Sequence, residues 1–189
     1  GAKPGYGRRG EEAYITRLIA GLGMPILRTI HGTGLLEGGS FCFLTETTAA
    51  VGMSYRQNEA GVRQLEQVLA EQGVRLIRVP LTGYSLHLDG CIVMVDYDKA
   101  IVNVTRLPYW FLDTLAELGI QPIHVWPTEQ KAVNCLAVRP GRVIMPAGCP
   151  RTRERLEQAG VEAIEVPYDE IHKNGGGIHC STLPLVRDP

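Results

Sequence analysis

Apolar and polar residues follow one another along the chain in a pattern that recurs. Four times an amphipathic stretch ends at a glycine, followed by an apolar residue and a short β-prone segment; the glycines are Gly23, Gly73, Gly119 and Gly160. A helix, a glycine in the left-handed conformation after it, and a strand explain each occurrence. The glycines are 50, 46 and 41 residues apart, a spacing that predicts a repeated supersecondary unit.

In three of these intervals, two more apolar segments precede the helix. The paired segments are residues 41–44 and 49–53, 91–95 and 100–104, and 135–138 and 142–145. They lead to a helix over about residues 61–72 and to helices that begin at Pro108 and Pro150, because proline suits a first helical position. The pattern predicts an α/β protein of ββαβ units, three of them complete. A helix and strand of a fourth unit, without its leading strands, are predicted over residues 11–27.

Composition narrows the class of protein. The 189 residues are expected to form a single domain over 1–189, and the formal charge of −1 is typical of an ordinary globular protein. Lysine and arginine do not cluster beyond Arg8-Arg9, so neither nucleic acid nor an anionic membrane is an expected partner. An apolar run of the roughly 20 residues that span a bilayer is also missing, so we expect a cytoplasmic protein.

The cysteines and glycines point away from cofactors. Five cysteines without a Cys-x-x-Cys pair argue against both a disulfide framework and a zinc site. The glycine-rich segments 32–34 and 175–177 do not lie between a strand and a helix, as a phosphate-binding loop requires, so no nucleotide cofactor is implied. A single reactive thiol fits this composition better than a metal or a cofactor.

The C-terminal segment, residues 173–189 (KNGGGIHCSTLPLVRDP), carries the most specific chemistry. Three successive glycines, Gly175 to Gly177, remove side chains near Cys180, so that the main chain and a planar substrate can approach the thiol. The alternative is a glycine-rich loop that ends in a buried structural cysteine, the usual environment of a cysteine.

This segment closely resembles the C-terminal signature of the arginine deiminases, guanidino-modifying enzymes of the pentein superfamily. Residues 36–41 (LEGGSF) resemble the family's Glu-Gly-Gly-Asp segment, with Ser40 in place of the aspartate, and residues 86–89 (LHLD) resemble its His-Leu-Asp segment. The resemblance implies that Cys180 attacks a guanidinium carbon, that His87 is the catalytic histidine, and that Glu37 orients His87 and keeps it basic.

The chemistry of a guanidinium requires these kinds of groups. Its planar cation needs a carboxylate to orient it, and we assign Asp89 to that task. A free thiol has a pKa of about 8.5, so Cys180 needs a positive charge nearby, from His87 or from the substrate. On a strand, the spacing of two between His87 and Asp89 would point both side chains to one face. Glu37 as a turn residue and Asp89 as a surface residue are the structural alternatives.

Substrate recognition rests on two arginines. Arg56 matches an arginine that binds the substrate's α-carboxylate in arginine deiminases, and Arg8 matches a second; for each, the alternative is a solvated surface arginine. A third carboxylate-binding arginine of the family has no counterpart around Lys173. His179, beside the nucleophile, is expected to be a wall or backbone-contact residue if its segment is extended.

The resemblance also implies an architecture, a partner and a range of functions. The pentein fold closes five ββαβ units into an α/β propeller, of which this chain would supply about three and a half. A complementing N-terminal segment or a second copy of the chain would then complete the ring. A small guanidino compound is the expected ligand. Hydrolysis of that compound, transfer of its amidino group to an amine, and a non-catalytic propeller module remain open as functions.

Overall fold

The computed structural model describes Pro4 and residues 6–186, and it divides into two compact units, one up to Leu88 and one from Asp89. The first unit contains α1 (Glu11–Gly21), β1 (Phe41–Thr45), β2 (Thr48–Met53), α2 (Glu59–Glu71) and β3 (Arg75–Pro80). The second contains β4 (Ile92–Asp96), β5 (Lys99–Val102), α3 (Tyr109–Glu117), β6 (Gln121–His124), β7 (Leu136–Arg139), β8 (Arg142–Pro146), α4 (Pro150–Gln158), β9 (Glu162–Val166) and the short α5 (Asp169–His172).

The predicted α/β class and the three ββαβ units are confirmed. The strands form three mixed sheets in the orders β1-β2-β3, β4-β5-β6 and β7-β8-β9. In each sheet the first two strands are an antiparallel hairpin, and the third pairs in parallel with the second after a helical crossover. All four repeat glycines have φ between 72° and 81°, the left-handed region that a side chain disfavours.

The fourth, partial unit is predicted only in part. Its helix is present as α1, but residues 24–27 form no strand. A strand is stabilised by hydrogen bonds to a neighbouring strand, and here the described residues before α1 contain a 3-10 turn instead of a hairpin. Every residue of α1 is at least partly exposed, with Tyr14 74% and Leu18 57% exposed.

Each hairpin is preceded by a 3-10 turn that the strand pattern did not predict. These turns are Gly38–Ser40, Leu88–Gly90 and Gln130–Val133. The expectation that His87 and Asp89 share the face of a strand is therefore wrong, because β4 begins only at Ile92. Glycine is unfavourable in strands, and glycines at positions 38, 39 and 90 explain why extended structure starts later.

Buried apolar side chains give each unit its own core. In the first unit Ile30, Leu36, Val51 and Val62 form one cluster. In the second, a larger cluster joins the second and third sheets with α4; it includes Val93, Ile101, Val143, Met145 and Leu156. None of the helices in the described ranges has the length and apolar character that a bilayer span requires.

Candidate active site

Cys180 lies on a 3-10 turn, His179–Ser181, and not on an extended segment. It is exposed, whereas Cys91, Cys135 and Cys149 are buried, and all five cysteines are free thiols. Two contacts from Tyr168 fix the turn: its hydroxyl donates to the carbonyl of Gly177 at 3.1 Å and contacts Ser181 Oγ at 2.5 Å. Cys180 therefore lies on an exposed turn whose backbone and Ser181 side chain are bound by Tyr168.

Asp89 supplies a carboxylate that contacts this thiol. Its side chain is only 6% exposed, and Oδ2 accepts from the Cys180 thiol at 3.4 Å. The same oxygen lies 3.1 Å from His179 Nδ1, which must be the donor because a carboxylate has no hydrogen to donate. His179 was expected to be a wall residue on an extended segment; the turn instead directs its ring to Asp89. The exposed-surface alternative for Asp89 is excluded by its burial.

Asn134 is a member of this cluster that the sequence did not indicate. Its Nδ2 is 3.2 Å from Cys180 Sγ and 3.0 Å from the backbone oxygen of Asp89, and its Oδ1 accepts from the Cys180 amide at 3.1 Å. Asn134 follows the 3-10 turn that precedes β7, whereas Glu37 and His87 stand immediately before the other two turns. Its position in the repeat is therefore not equivalent to theirs, and no pattern in the sequence distinguishes it.

The surroundings of Cys180 favour its protonated form. Partial burial of the sulfur, followed by the negative charge of Asp89, raises the pKa of this thiol, while hydrogen bonds from the Gly177 backbone and Asn134 act in the opposite direction. Without a cationic substrate, we therefore expect a thiol at neutral pH. Full burial raises the pKa of Cys135 to about 12 and burial also raises the pKa of Cys149, so the reactive thiolate form of these two thiols is disfavoured as well.

The first unit holds a second cluster, centred on Glu37. This carboxylate is 8% exposed and lies 2.6 Å from His87 Nε2, which is again the donor. Two side-chain hydrogen bonds to the backbone fix the loops that carry Glu37 and His87. Asn58, the N-cap of α2, binds the loop before Glu37 through the Leu35 amide, and the Ser54 hydroxyl donates to the carbonyl of Leu86 at 2.7 Å. Glu37 is thus a buried partner of His87 and not a solvated turn residue.

Arg56 and Arg8 both approach Glu37 in the first unit. Arg56 Nη1 is 3.2 Å from Glu37 Oε1, and Arg8 Nη1 is 3.6 Å from Oε2. Arg56 is 22% exposed, and its Nε, although buried, has no hydrogen-bond partner in the part of the chain that the structure describes. Arg8 is 48% exposed and pairs mainly with Glu11 at 2.6 Å. Arg56 is therefore held closer to Glu37 than Arg8 is, and one of its N–H donors is not used within the described residues.

The position of Ser40, where the family carries aspartate, is satisfied by a neighbour. Ser40 is fully buried and its hydroxyl accepts from Gln57 Nε2. Gln57 Oε1 in turn accepts from the Ser54 backbone amide at 3.3 Å. The hydrogen bonds that the sequence left in doubt are therefore made within the first unit. Arg187 to Pro189, the end of the C-terminal motif, lie outside the described residues.

Comparison with known proteins assigns the chain to a family. The arginine deiminase family model matches residues 14–107 and 117–187. The chain therefore belongs to the arginine deiminase family of guanidino-modifying enzymes in the pentein superfamily, as the motifs predicted.

Two relatives and two solved structures are similar to this chain. The chain is 28% identical to an arginine deiminase of Latilactobacillus sakei over 90% of its own length, and 30% identical to the N(G),N(G)-dimethylarginine dimethylaminohydrolase of Pseudomonas aeruginosa over 93%. A structure of the Pseudomonas aeruginosa enzyme with citrulline superposes with a TM-score of 0.79 at 29% identity, covering 94% of this chain and 67% of that one. The N-terminal domain of a cyanobacterial arginine dihydrolase shares the fold at a TM-score of 0.85 and 21% identity, covering 98% of this chain and 69% of that one.

The chain is shorter than these relatives. It spans 51% of the Latilactobacillus sakei protein and 66% of the Pseudomonas aeruginosa enzyme. The similarity therefore extends over nearly all of this chain but over only part of each relative.

Proposed function

We propose that this chain carries the catalytic core of a hydrolase that acts on arginine or a closely related guanidino compound through a covalent thioether. The observation that carries the proposal is the contact of the Cys180 thiol with the buried carboxylate of Asp89, at 3.4 Å. Partial burial and the neighbouring Asp89 anion raise the pKa of the Cys180 thiol, so the nucleophilic thiolate is disfavoured until a cation binds. A guanidinium bound to Asp89 supplies that cation and sets its carbon next to the sulfur.

The proposed reaction uses His87 twice. The Cys180 thiol first loses its proton to solvent, and the thiolate attacks the guanidinium carbon. The tetrahedral adduct loses ammonia, or an alkylamine from a substituted substrate, with a proton delivered by protonated His87. Neutral His87 then removes a proton from water, which attacks the carbon of the cationic amidino-thioether; the adduct collapses with transfer of its hydroxyl proton to the departing sulfur, and this releases the ureido product and the Cys180 thiol. For arginine, the sum is the arginine cation plus water giving citrulline plus ammonium. Glu37, 2.6 Å from His87 Nε2, orients the ring.

We further propose that residues 1–189 belong to a single catalytic domain. Membership of the family supports this proposal, because the family model matches residues 14–107 and 117–187, which include Glu37, His87, Asp89 and Cys180.

A pair of alkylating reagents tests the function in the complete protein. 2-Chloroacetamidine, a cationic amidine, should modify Cys180 much faster than neutral 2-chloroacetamide at neutral pH, and arginine should protect the thiol. Equal rates for the two reagents, without protection, would contradict a guanidinium site. Product analysis then separates the reactions: ureido product and ammonia indicate hydrolysis, whereas a new guanidino product that forms only with an added amine indicates amidino transfer.

Replacement of Arg56 tests the substrate's carboxylate. If Arg56 binds an α-carboxylate, Arg56→Ala should lower kcat/KM for arginine by roughly 10- to 150-fold more than for agmatine, which lacks that group, because a charged hydrogen bond contributes about 1.5–3 kcal/mol. The comparison cancels any effect that acts through Glu37 on both substrates. Arg63→Ala, which removes an exposed arginine that pairs with Glu59, is the matched control. An equal loss on both substrates would assign Arg56 a structural role.

We also propose that the 189 residues need a further segment or a second copy to act, and that five ββαβ units form the complete ring. The exposed apolar side chains of α1, together with the partial coverage of the relatives, support this. The isolated chain should show weak or no turnover and should self-associate, or bind an added N-terminal complement, in light-scattering measurements. A monodisperse, fully active monomer of these residues would contradict the proposed unit count.

A further inference from the structure

The carboxamide of Asn134 contacts both the backbone and the side chain of the cysteine that we assign as nucleophile. Asn134 is 7% exposed. One of its amide hydrogens is directed to the backbone oxygen of Asp89 and the other to Cys180 Sγ, while Oδ1 accepts from the Cys180 amide. All its side-chain hydrogen-bonding groups are thus directed at Asp89 and Cys180.

The orientation of this carboxamide is fixed by its two backbone partners. A rotation by 180° would set the NH2 group against the Cys180 N–H and the carbonyl against the Asp89 carbonyl, so both contacts would become repulsive. The donor side must therefore face the sulfur. A neutral donor that is held in this way stabilises a thiolate more than a thiol, because a hydrogen bond to an anionic acceptor is stronger.

The glycine run makes room for this arrangement. A Cβ on Gly177 would collide with Asn134 Oδ1, whereas a Cβ on Gly175 or Gly176 would meet nothing within 4 Å. The absent side chain at position 177 thus admits the carboxamide of Asn134 rather than a substrate. Cys180 and Asn134 are 46 residues apart in sequence, so only the folded second unit brings them together.

From this geometry we infer that Asn134 positions the Cys180 sulfur and stabilises its thiolate form, and that Gly177 is required for that contact. The inference rests on the proposed function in one respect, the assignment of Cys180 as nucleophile. Asn134 and Asp89 act on the sulfur in opposite directions: the Asp89 carboxylate accepts from the thiol, and Asn134 donates to the thiolate. His179 is a further titratable group that contacts Asp89.

The test measures alkylation of Cys180 by iodoacetamide against pH, with the modified peptide quantified by mass spectrometry. In Asn134→Ala the thiolate loses its donor, so the midpoint of the pH profile should rise by about one unit and the rate at neutral pH should fall roughly tenfold. Asn134→Asp keeps the size of the side chain and adds a negative charge, so its midpoint should rise further. Asn174→Asp, the same change on an exposed residue of the C-terminal segment that carries Cys180, should leave the profile unchanged.

A second variant reaches the same contact without changing Asn134. Gly177→Ala should displace the carboxamide and raise the midpoint in the same direction as Asn134→Ala. Gly176→Ala, which meets no neighbouring atom, is its control and should behave like the wild type. Circular dichroism and thermal melting select the variants that keep the wild-type fold.

The outcomes separate this inference from the proposed function. Alkylation needs no substrate, so absence of guanidino turnover in the complete wild-type protein would refute the function, while shifted profiles in the variants would still support the role of Asn134. Folded Asn134→Ala and Gly177→Ala variants with the wild-type pH profile would overturn the inference, even in an active enzyme.

Discussion

Cys180→Ala should abolish turnover in the complete protein, with a loss of roughly 10⁴-fold or more, because the sulfur forms the covalent bond that the proposed mechanism requires. The fold should persist, since Cys180 is exposed and its thiol is not part of either core. Turnover of arginine and covalent labelling by 2-chloroacetamidine are the measurements, and both should be lost together.

A control at Cys42 and a second variant at His87 test the same mechanism. Cys42→Ala changes a partly buried cysteine on β1 and should keep activity near that of the wild type. His87→Ala should lose nearly as much activity as Cys180→Ala, and the double variant should lose little more, because nucleophile and base act as a unit. Turnover by Cys180→Ala beyond a trace would refute the covalent mechanism.

Asp89→Asn should change two measured quantities in opposite directions. Turnover should fall by roughly 10²-fold or more, because the buried carboxylate that orients the guanidinium cation is lost and a charged hydrogen bond with it. The thiol should nevertheless become more reactive toward neutral iodoacetamide at neutral pH. The negative charge of Asp89 raises the pKa of Cys180, so its removal lowers that pKa and increases the thiolate fraction.

The matched control for this variant is Asp113→Asn. Asp113 is an exposed aspartate of α3 in the same unit, and its replacement removes the same charge from the solvent-exposed face. Both measurements should stay at wild-type values. If Asp89→Asn slowed alkylation as well as turnover, then Asp89 would help to hold the thiol in place, and its electrostatic effect on the sulfur would be minor.

The repeated ββαβ units could be predicted from sequence because each is a local feature. The 3.6-residue period of a helix, the alternation or apolar run of a strand, and a left-handed glycine at a helix end are fixed within a few residues. Strand formation at residues 24–27 and 86–89 was predicted on the same grounds and did not occur. A strand needs a partner, and the residues that begin each unit instead turn in a 3-10 helix.

The candidate site was predictable where short segments resemble the motifs of a known family. The cysteine after three glycines, the His-Leu-Asp segment and the Glu-Gly-Gly segment indicated Cys180, His87, Asp89 and Glu37 through that resemblance, and the chemistry of a guanidinium is consistent with these residue types. The sequence by itself thus determined the repeat and the family, and it predicted the candidate side chains.

Only the tertiary structure decided how those side chains are held. It paired Glu37 with His87 across 50 residues, brought Asn134 to Cys180 across 46, and turned His179 toward Asp89. An asparagine and a histidine have no distinctive pattern in a chain, because their role depends on what lies within about 3 Å of their polar atoms. Those neighbours are set by the packing of distant segments, which local periodicity does not encode.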